Sequence, residues 1–410
     1  MDKSEGAQTE RTYRAGPPEH GGRAGGVRPL YSTQPVGPLF EEEKRYNAWC
    51  PSALHYDRRL GRFIMLLYSC DAHAHTASYP YFTLIHPDTL EAEKPRPLVF
   101  RRTDGQIVDS CGLCPFILLP SGEYMLITRL DRAGAALLGY SVPAGLDAIN
   151  CRVVSRDCGE SWQYAGPVHL EGLEGRVDLW GIYRGNSGRL LAGYDTPHAG
   201  IAYSDDEGRS WRHVEIAVEE GLRANEPCIV QLEGNRLMAL LRRTLSGESG
   251  EETALLAFSD DNGESWTAAR SSRRIRMNAS NCGAVVHDGV VEIFSLSRFP
   301  AGSLPRERTG KAGEIRHYAA AVEDARRDRF SDRGVVVSSI ATDPWGSGDF
   351  STPCCAVDDR GRLLIAYFDA SRPGAVAYRE SRHYFVRGFL TEPPSPAPAE
   401  SCHAAKSGAE

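Results

Sequence analysis

The sequence predicts an all-β protein, a six-bladed β-propeller with four-stranded antiparallel blades. Two internal repeats predict this fold. A phrase of the form Ser-x-Asp-x-Gly-x-x-Trp occurs three times, at residues 155–162, 204–211 and 259–266. Six short apolar runs recur between turns. Helical periodicity is nearly absent, and one weak candidate lies around residues 323–329.

Each copy of the phrase follows a short apolar run and precedes another strand-like run, which is typical of a β-hairpin. We expect the Asp to cap the turn through its own backbone and the Gly to take the position with φ > 0. The Trp folds back as an apolar plug. Copies roughly 50 residues apart indicate a repeated supersecondary unit.

The second repeat predicts one strand in each of six units. Upstream of most of these runs lies another apolar run that ends at a turn, so each unit begins strand–turn–strand. Units of about 50–60 residues fit propeller blades and are too long and too regular for a β-sandwich. The six runs are residues 62–68, 123–129, 189–195, 236–242, 291–297 and 362–368.

Composition divides the chain into three parts. Residues 1–45 are rich in Gly, Pro and charge and are predicted to form a disordered N-terminal tail. Residues 391–410 are predicted to form a disordered Pro-rich C-terminal tail. The propeller is expected between them, over residues 46–390.

Charge and hydropathy exclude several classes of function. The net charge of −7 gives no basic footprint for nucleic acid, and the absence of a run of 18 apolar residues predicts no membrane span. The N-terminus lacks the apolar core of a secretory signal, so we expect a cytoplasmic protein whose 11 Cys are reduced. Cys111 and Cys114 form a CxxC pair that leaves a redox or zinc role open. No second pair completes a zinc site, and no metal or cofactor is predicted.

The repeated phrase resembles the Asp-box, or BNR repeat, of the sialidase (neuraminidase) superfamily, whose fold is a six-bladed β-propeller. In that superfamily the Asp-box stabilises the fold far from the active centre. A second resemblance runs from Asn225 and Glu226 through a strand and a Gly turn to Arg242. It implies that Glu226 polarises a nucleophilic Tyr and that Arg242 grips the substrate carboxylate, as a planar donor fork does.

The residues themselves place Glu226 and Arg242 at the same end of one blade, because one opens a strand and the other ends its antiparallel neighbour. A structural ion pair is the open alternative. The resemblance also implies a further substrate Arg before a strand of the fifth blade. Arg316 fits that place, and Arg306 and Arg308 are rivals.

Two departures from the family pattern are more telling. Trp49 stands where the family has its first carboxylate-binding Arg, and Phe350 stands where it has the nucleophilic Tyr. Phenylalanine has no oxygen and cannot form a covalent glycosyl intermediate. The losses argue against ordinary hydrolysis of sialic acid.

The acid/base group has several candidates. Asp71 lies in the loop where the family has its acid/base Asp, and His73 and His75 alternate with it, so all three share a face of a strand. They predict a His acid/base, a metal site or only a polar loop. Asp349 beside Phe350 is another carboxylate that could pair with Glu226 in a water-mediated reaction.

Asp178 and Trp180 open the third predicted blade. An aromatic platform and a hydroxyl acceptor suit a sugar ring, although packing of Trp180 explains the pattern equally well.

These residues favour a divergent enzyme that acts on a carboxylated sugar or related small molecule, by glycoside hydrolysis without a Tyr nucleophile. Non-hydrolytic chemistry, such as elimination or cyclisation, and a non-catalytic glycan-binding propeller are the alternatives. The expected partner is a small molecule or glycan with a carboxylate, not nucleic acid or membrane. The oligomeric state stays open.

Overall fold

A computed structural model of the chain describes residues 31–32, 48–70, 78–98, 100–101, 107–108, 115–170, 173, 178–195, 198–244, 253–277, 282–297, 313–339, 350–369 and 385–391. These residues form six four-stranded antiparallel sheets and one two-stranded sheet. Five sheets use four consecutive strands each, and we name them blades I to V. The sixth joins the two ends of the chain, and we name it the closing sheet.

The strands follow in chain order. Blade I contains β2 (Ala48–Asp57), β3 (Arg62–Cys70), β4 (Ser78–Ile85) and β5 (Arg96–Pro97). A two-stranded sheet of β6 (Phe100–Arg101) and β7 (Ile107–Val108) follows. Blade II contains β8 (Phe116–Leu118), β9 (Tyr124–Asp131), β10 (Ala148–Ser155) and β11 (Gln163–Val168). Blade III contains β12 (Leu179–Arg184), β13 (Leu190–Tyr194), β14 (Gly200–Ser204) and β15 (Arg212–Glu215).

Blade IV contains β16 (Arg223–Gln231), β17 (Leu237–Thr244), β18 (Thr253–Ser259) and β19 (Arg270–Arg276). Blade V contains β20 (Gly283–His287), β21 (Val290–Ser297), β22 (Gly313–Ala321) and β23 (Ser331–Ser339). The closing sheet contains β24 (Phe350–Val357), β25 (Leu363–Asp369), β26 (Phe385–Thr391) and β1 (Tyr31–Ser32). Two short helices, α1 (Arg132–Leu137) and α2 (Val322–Ala325), fill turns of blades II and V.

The all-β propeller class and the four-stranded antiparallel blades are confirmed. The prediction of six similar units departs from the structure at the closing sheet, because its outermost strand β1 pairs with β26 from within the predicted N-terminal tail. Pairing the two ends of the chain within one sheet fastens the ring of sheets. The weak helical candidate contains most of α2, whereas α1 has no counterpart among the predictions.

An apolar cluster fills each junction between neighbouring sheets in the described part of the chain. Blades IV and V share one cluster, blades III and IV another, and the closing sheet packs on blade I in a third. Similar clusters join I to II, II to III, and V to the closing sheet. The sheets therefore follow one another around a ring.

The second strand of each sheet is apolar on both faces, since it is buried between two neighbours. In β17, Met238 and Leu240 pack toward blade V, while Leu237 and Leu241 pack toward blade III. This double burial explains why the six predicted runs are continuously apolar rather than alternating. All six runs coincide with the second strands of the sheets.

The three Asp-boxes join the third and fourth strands of blades II, III and IV. In blade III, Asp206 accepts hydrogen bonds from the backbone N–H groups of Arg209 and Ser210, at 3.0 and 2.8 Å. Trp211 is buried and its indole N–H donates to the Gly208 carbonyl. The predicted roles of Asp, Gly and Trp are confirmed in this turn. The role of the first Ser was missed, because the Ser204 hydroxyl accepts from the Gly208 N–H and donates to Asp206.

The Asp-box glycines also serve packing between blades. A Cβ added at Gly208 would lie 2.7 Å from the sulfur of Met125 in blade II, and one at Gly263 would lie 2.6 Å from Leu191 in blade III. Gly208 has φ +80° and Gly263 has φ +88°. Glycine is therefore required at each position for two reasons: the backbone conformation and the close approach to the preceding blade.

No helix in the described residues is both long and apolar enough to span a membrane.

We predict that Asp206→Ala lowers the free energy of unfolding by about 1–3 kcal/mol, because several donors of the turn lose their acceptor. Burial raises the pKa of Asp206, but hydrogen bonds from Ser210 and Ser204 outweigh it and lower the pKa to about 2. A depressed pKa stabilises the fold fully above the unfolded-state pKa of about 4, and this stabilisation is lost as the pH falls toward 2.

Urea unfolding at several pH values measures this effect. The difference between wild type and Asp206→Ala should be largest near neutral pH and should shrink as the pH is lowered from about 5 to about 2. Glu220→Ala, which removes an exposed carboxylate, is the control and should change stability little. A difference that does not depend on pH would contradict the assigned role of the carboxylate.

Candidate functional site

The first strand of each sheet begins at the same face of the ring, which we call the entrance face. Four of these strands carry a bulge shortly after they begin. The ladder shifts between Pro51 and Ala53 in β2, and there are corresponding shifts in β12, β16 and β24. Pro51, Pro227 and Pro353 lie at three of the bulges, because a bulge tolerates a residue that cannot donate to the ladder.

The bulge of β16 brings Glu226 and Arg242 together. Asn225 is in register with Arg242 on β17, and Arg242 Nη1 donates to Glu226 Oε1 at 2.7 Å. The Glu226 side chain is 9% exposed and that of Arg242 is 25% exposed. The structure thus places a largely buried carboxylate and a guanidinium at the entrance end of blade IV.

The backbone of Glu226 is unusual. Its φ is +49°, a conformation that side-chain-bearing residues adopt rarely and at an energetic cost. The backbone N–H of Glu226 donates to Asp195 Oδ2 at 3.3 Å, which ties the bulge to blade III. Backbone strain of this kind clusters at functional sites, where the surrounding structure holds one side chain in place.

A glycine of the neighbouring blade makes room for this bulge. A Cβ added at Gly193 in β13 would lie 2.5 Å from the carbonyl oxygen of Pro227 and 2.8 Å from the Pro227 Cβ. The position of Glu226 therefore depends on a bare backbone in blade III.

Several buried polar atoms at this end of the blades have no hydrogen-bond partner within the described part of the chain. They are Asn225 Oδ1, Arg242 Nε and Trp180 Nε1. Buried polar atoms are almost always hydrogen-bonded in folded proteins, so these groups are candidates for contact with a ligand.

The other predicted substrate residues of blades III and V are paired differently. Asp178 forms an ion pair of 3.4 Å with Arg129 of blade II. Arg316 lies on β22, the third strand of blade V, where it donates to Glu314 and Asp332 at 2.8 Å each. The structure thus places the Arg316 guanidinium in contacts within its own blade.

Trp180 lines a central cavity of about 860 Å³ that is bounded by the first strands of all six sheets. The Trp180 side chain can pack against the protein or stack on a sugar ring of a ligand, as the sequence suggested. Within the described residues, no group of three or more His, Cys, Asp or Glu side chains is arranged to hold a metal ion.

Several predicted residues cannot be placed in the site. Asp71, His73, His75 and Asp349 lie outside the described residues, as do Cys111 and Cys114. The backbones of Trp49 and Phe350 lie at the entrance ends of β2 and β24, in register with Ser69 and Asp369. Their roles stay predictions.

Sequence reasoning missed Arg129 and Asp195. A signal was present, because Arg129, Asp195 and Arg242 are the last residues of three of the six apolar runs. Second strands end at the entrance face, so a charged residue at this repeated position marks the same region in each blade.

Comparisons with known proteins agree with this architecture. Residues 95–305 match the family described as BNR repeat-like domain. Human Sialidase-4 is 26% identical over 208 residues, an alignment that covers 43% of this chain. The match spans 40% of that relative's length.

Solved structures show the same fold at low sequence identity. A protein of unknown function from Dyadobacter fermentans is 18% identical with a TM-score of 0.64, and covers 90% of this chain and 100% of its own. The NanB sialidase of Streptococcus pneumoniae is 12% identical with a TM-score of 0.59, at 86% and 70% coverage. The leech intramolecular trans-sialidase is 13% identical with a TM-score of 0.54, at 88% and 69% coverage.

We predict that Gly193→Ala lowers the free energy of unfolding by about 1–3 kcal/mol, because the new methyl group overlaps the Pro227 backbone, which cannot rotate away. Gly185→Ala is the matched control. Its Cβ would meet the ends of the Gln231 and Asn262 side chains, at 3.0 and 3.1 Å, and these can move. Urea unfolding of both variants tests the prediction, and equal losses would refute it.

Proposed function

Because the chain belongs to the BNR repeat-like domain family of the sialidase superfamily, we propose that it is an enzyme that acts on a glycan or small molecule bearing a carboxylate. The reaction takes place at the entrance face, beside Glu226 and Arg242. One observation carries the proposal: a largely buried Glu226, in a strained backbone conformation, accepts a hydrogen bond from Arg242 at 2.7 Å.

Arg242 has the chemistry to bind a substrate carboxylate. Its Nη1 contacts Glu226, while its buried Nε has no partner within the described residues. A guanidinium offers five donors in one plane, so it can hold one carboxylate in the protein and bind a second one on a ligand. Partial burial strengthens such a contact, since little water screens it.

Glu226 is the candidate for proton transfer. The strain in its backbone and the contact of its N–H with Asp195 hold the carboxylate in one orientation. A positioned carboxylate can accept a proton from a water molecule or from a substrate hydroxyl.

The position of Phe350 favours a reaction without a covalent glycosyl–enzyme intermediate at that residue. Phe350 begins β24, and its benzyl group has no oxygen that could attack an anomeric carbon. We infer that water, or a hydroxyl of the substrate itself, attacks instead. Attack by water gives hydrolysis, and attack by an internal hydroxyl gives a cyclised product.

A non-catalytic binder is the second candidate, because the Glu226–Arg242 contact is compatible with it as well. A carboxylate already paired with a guanidinium can serve the fold alone. Variants of the pair distinguish the two functions.

We predict that Glu226→Gln lowers kcat/KM by about 100-fold or more, because glutamine cannot take up a proton. The substrates to test first are glycosides of acidic sugars other than sialic acid, with mass spectrometry of the products. Arg242→Lys should raise KM by about tenfold or more, since lysine lacks the planar fork.

Glu233→Gln is the matched control, because Glu233 pairs with Arg236 at the opposite end of the same hairpin. It should retain wild-type activity. Ligand binding without turnover by wild-type protein, across the whole panel, would favour the binder.

We also predict no release of fluorophore from a simple fluorogenic sialoside, because Phe350 and Trp49 stand where the resemblance places both the nucleophilic Tyr and the first Arg that binds the sialic acid carboxylate. A known sialidase assayed in parallel verifies the substrate. Robust hydrolysis by this protein would show that sialic acid is a substrate in spite of these two replacements.

A further inference from the structure

Four cysteines lie on or next to the first strands of three neighbouring sheets. Cys228 lies on β16, Cys282 lies just before β20, and Cys354 and Cys355 lie on β24. None of the four is in a disulfide. Cys228 and Cys282 are 1% and 3% exposed and belong to the same apolar cluster, which joins blades IV and V.

Cys228 is surrounded by hydrogen-bond donors. The Tyr183 hydroxyl of blade III donates to Cys228 Sγ at 3.3 Å. The Cys282 thiol and the Ala284 backbone N–H also donate to this sulfur. These donors, Cys282 foremost, lower the pKa of Cys228 despite its burial. Three donors around one sulfur stabilise a thiolate, which is the reactive form of cysteine.

The neighbouring thiols have the opposite character. Donation to Cys228 and burial raise the pKa of Cys282 well above its usual range. Burial raises the pKa of Cys354 to about 12 and also raises that of Cys355. Cys228 is therefore the thiol of the four whose pKa is lowered, and Cys282 is the neighbour that donates to it.

A small oxidant can enter the central cavity as far as Cys282, which packs with Cys228 in one apolar cluster. Cys282 and Tyr183 both line the cavity, which extends to the turn residues Arg58 and Asn186 at the face opposite the entrance face. Both turn residues are exposed. A space of about 860 Å³ admits a hydroperoxide without any movement of the strands.

We propose that Cys228 and Cys282 form a hydroperoxide-sensitive dithiol that closes into a disulfide between blades IV and V. The geometry behind it is a pair of thiols from neighbouring blades: Cys228 accepts from Tyr183, and Cys282 lines the cavity. This site is independent of the function proposed for Glu226 and Arg242.

The chemistry balances in two steps. The Cys228 thiolate attacks one oxygen of the hydroperoxide, the O–O bond breaks, and an alcohol or water leaves after taking up a proton. The resulting Cys228 sulfenic acid is then attacked by the Cys282 sulfur, so that the S–S bond forms, the S–O bond breaks and water leaves. Two thiols are oxidised by two electrons, and one hydroperoxide is reduced by two.

Stoichiometric hydrogen peroxide on the reduced full-length protein tests the proposal. After alkylation, intact mass should show the loss of two hydrogen atoms, and peptide mapping without reductant should show Cys228 linked to Cys282. Dithiothreitol should reverse both changes. Cys228 should react at least about tenfold faster than Cys151, a buried thiol of blade II whose pKa burial raises to about 12.

Variants separate the two thiols. In Cys282→Ser the reaction should stop at a sulfenic acid on Cys228, which dimedone traps. Cys151→Ser should behave as wild type. Tyr183→Phe keeps both thiols and should slow the oxidation of Cys228 several-fold, since one donor to the sulfur is removed.

Two results would overturn the proposal: a first disulfide that joins other cysteines, or a Cys228 that reacts no faster than Cys151. Peptide mapping of wild-type protein decides both, even if a variant fails to fold.

Discussion

The bulge at the start of the first strands is the constraint on which the hub depends. First strands lie closest to the axis, where there is least room for side chains. A bulge interrupts the ladder there, bends the strand and turns a side chain away from the sheet. In β16 it holds Glu226 at φ +49° and sets Pro227 against Gly193 of the preceding blade. Proline at the bulge removes one backbone donor that the interrupted ladder would leave unpaired. Gly283 makes the same kind of room for Pro353, since its Cβ would lie 2.8 Å from that carbonyl oxygen.

Most of the ring was predictable because its signals are local. A second strand buried on both faces must be continuously apolar, and an Asp-box carries its turn chemistry within eight residues. The closure of the ring gave no such signal. Tyr31–Ser32 pairs with β26 across nearly the whole chain, and the pairing involves only two residues in a segment rich in Gly, Pro and charge. Pairing over such a distance is decided by the geometry of the finished ring, which a local pattern cannot contain.

The candidate site likewise contains contacts that a local pattern predicts and contacts between blades that it does not. Glu226 and Arg242 belong to one hairpin, so strand spacing alone predicts that they lie at the same end. The contact of Arg316 with Glu314 could be predicted from the sequence, because Glu314 is two residues away and shares its face of the strand. The ion pair of Asp178 with Arg129 joins two blades, so a local sequence pattern could not predict it. One sequence signal of the thiol cluster was overlooked. The dipeptide Pro-Cys ends the bulge at residues 227–228 and again at 353–354.

The carboxylate and the thiol of blade IV belong to one rigid unit. Glu226 and Cys228 flank Pro227, whose φ is fixed by its ring, and Gly193 leaves the Pro227 carbonyl no room to shift toward blade III. A disulfide requires its two Cβ atoms to lie about 4 Å apart, so its formation would join blade V to the residue that follows Pro227. The first-strand bulge thus places the thiol of the hub and the carboxylate of the entrance face on either side of one proline, although the two sites open toward opposite sides of the ring.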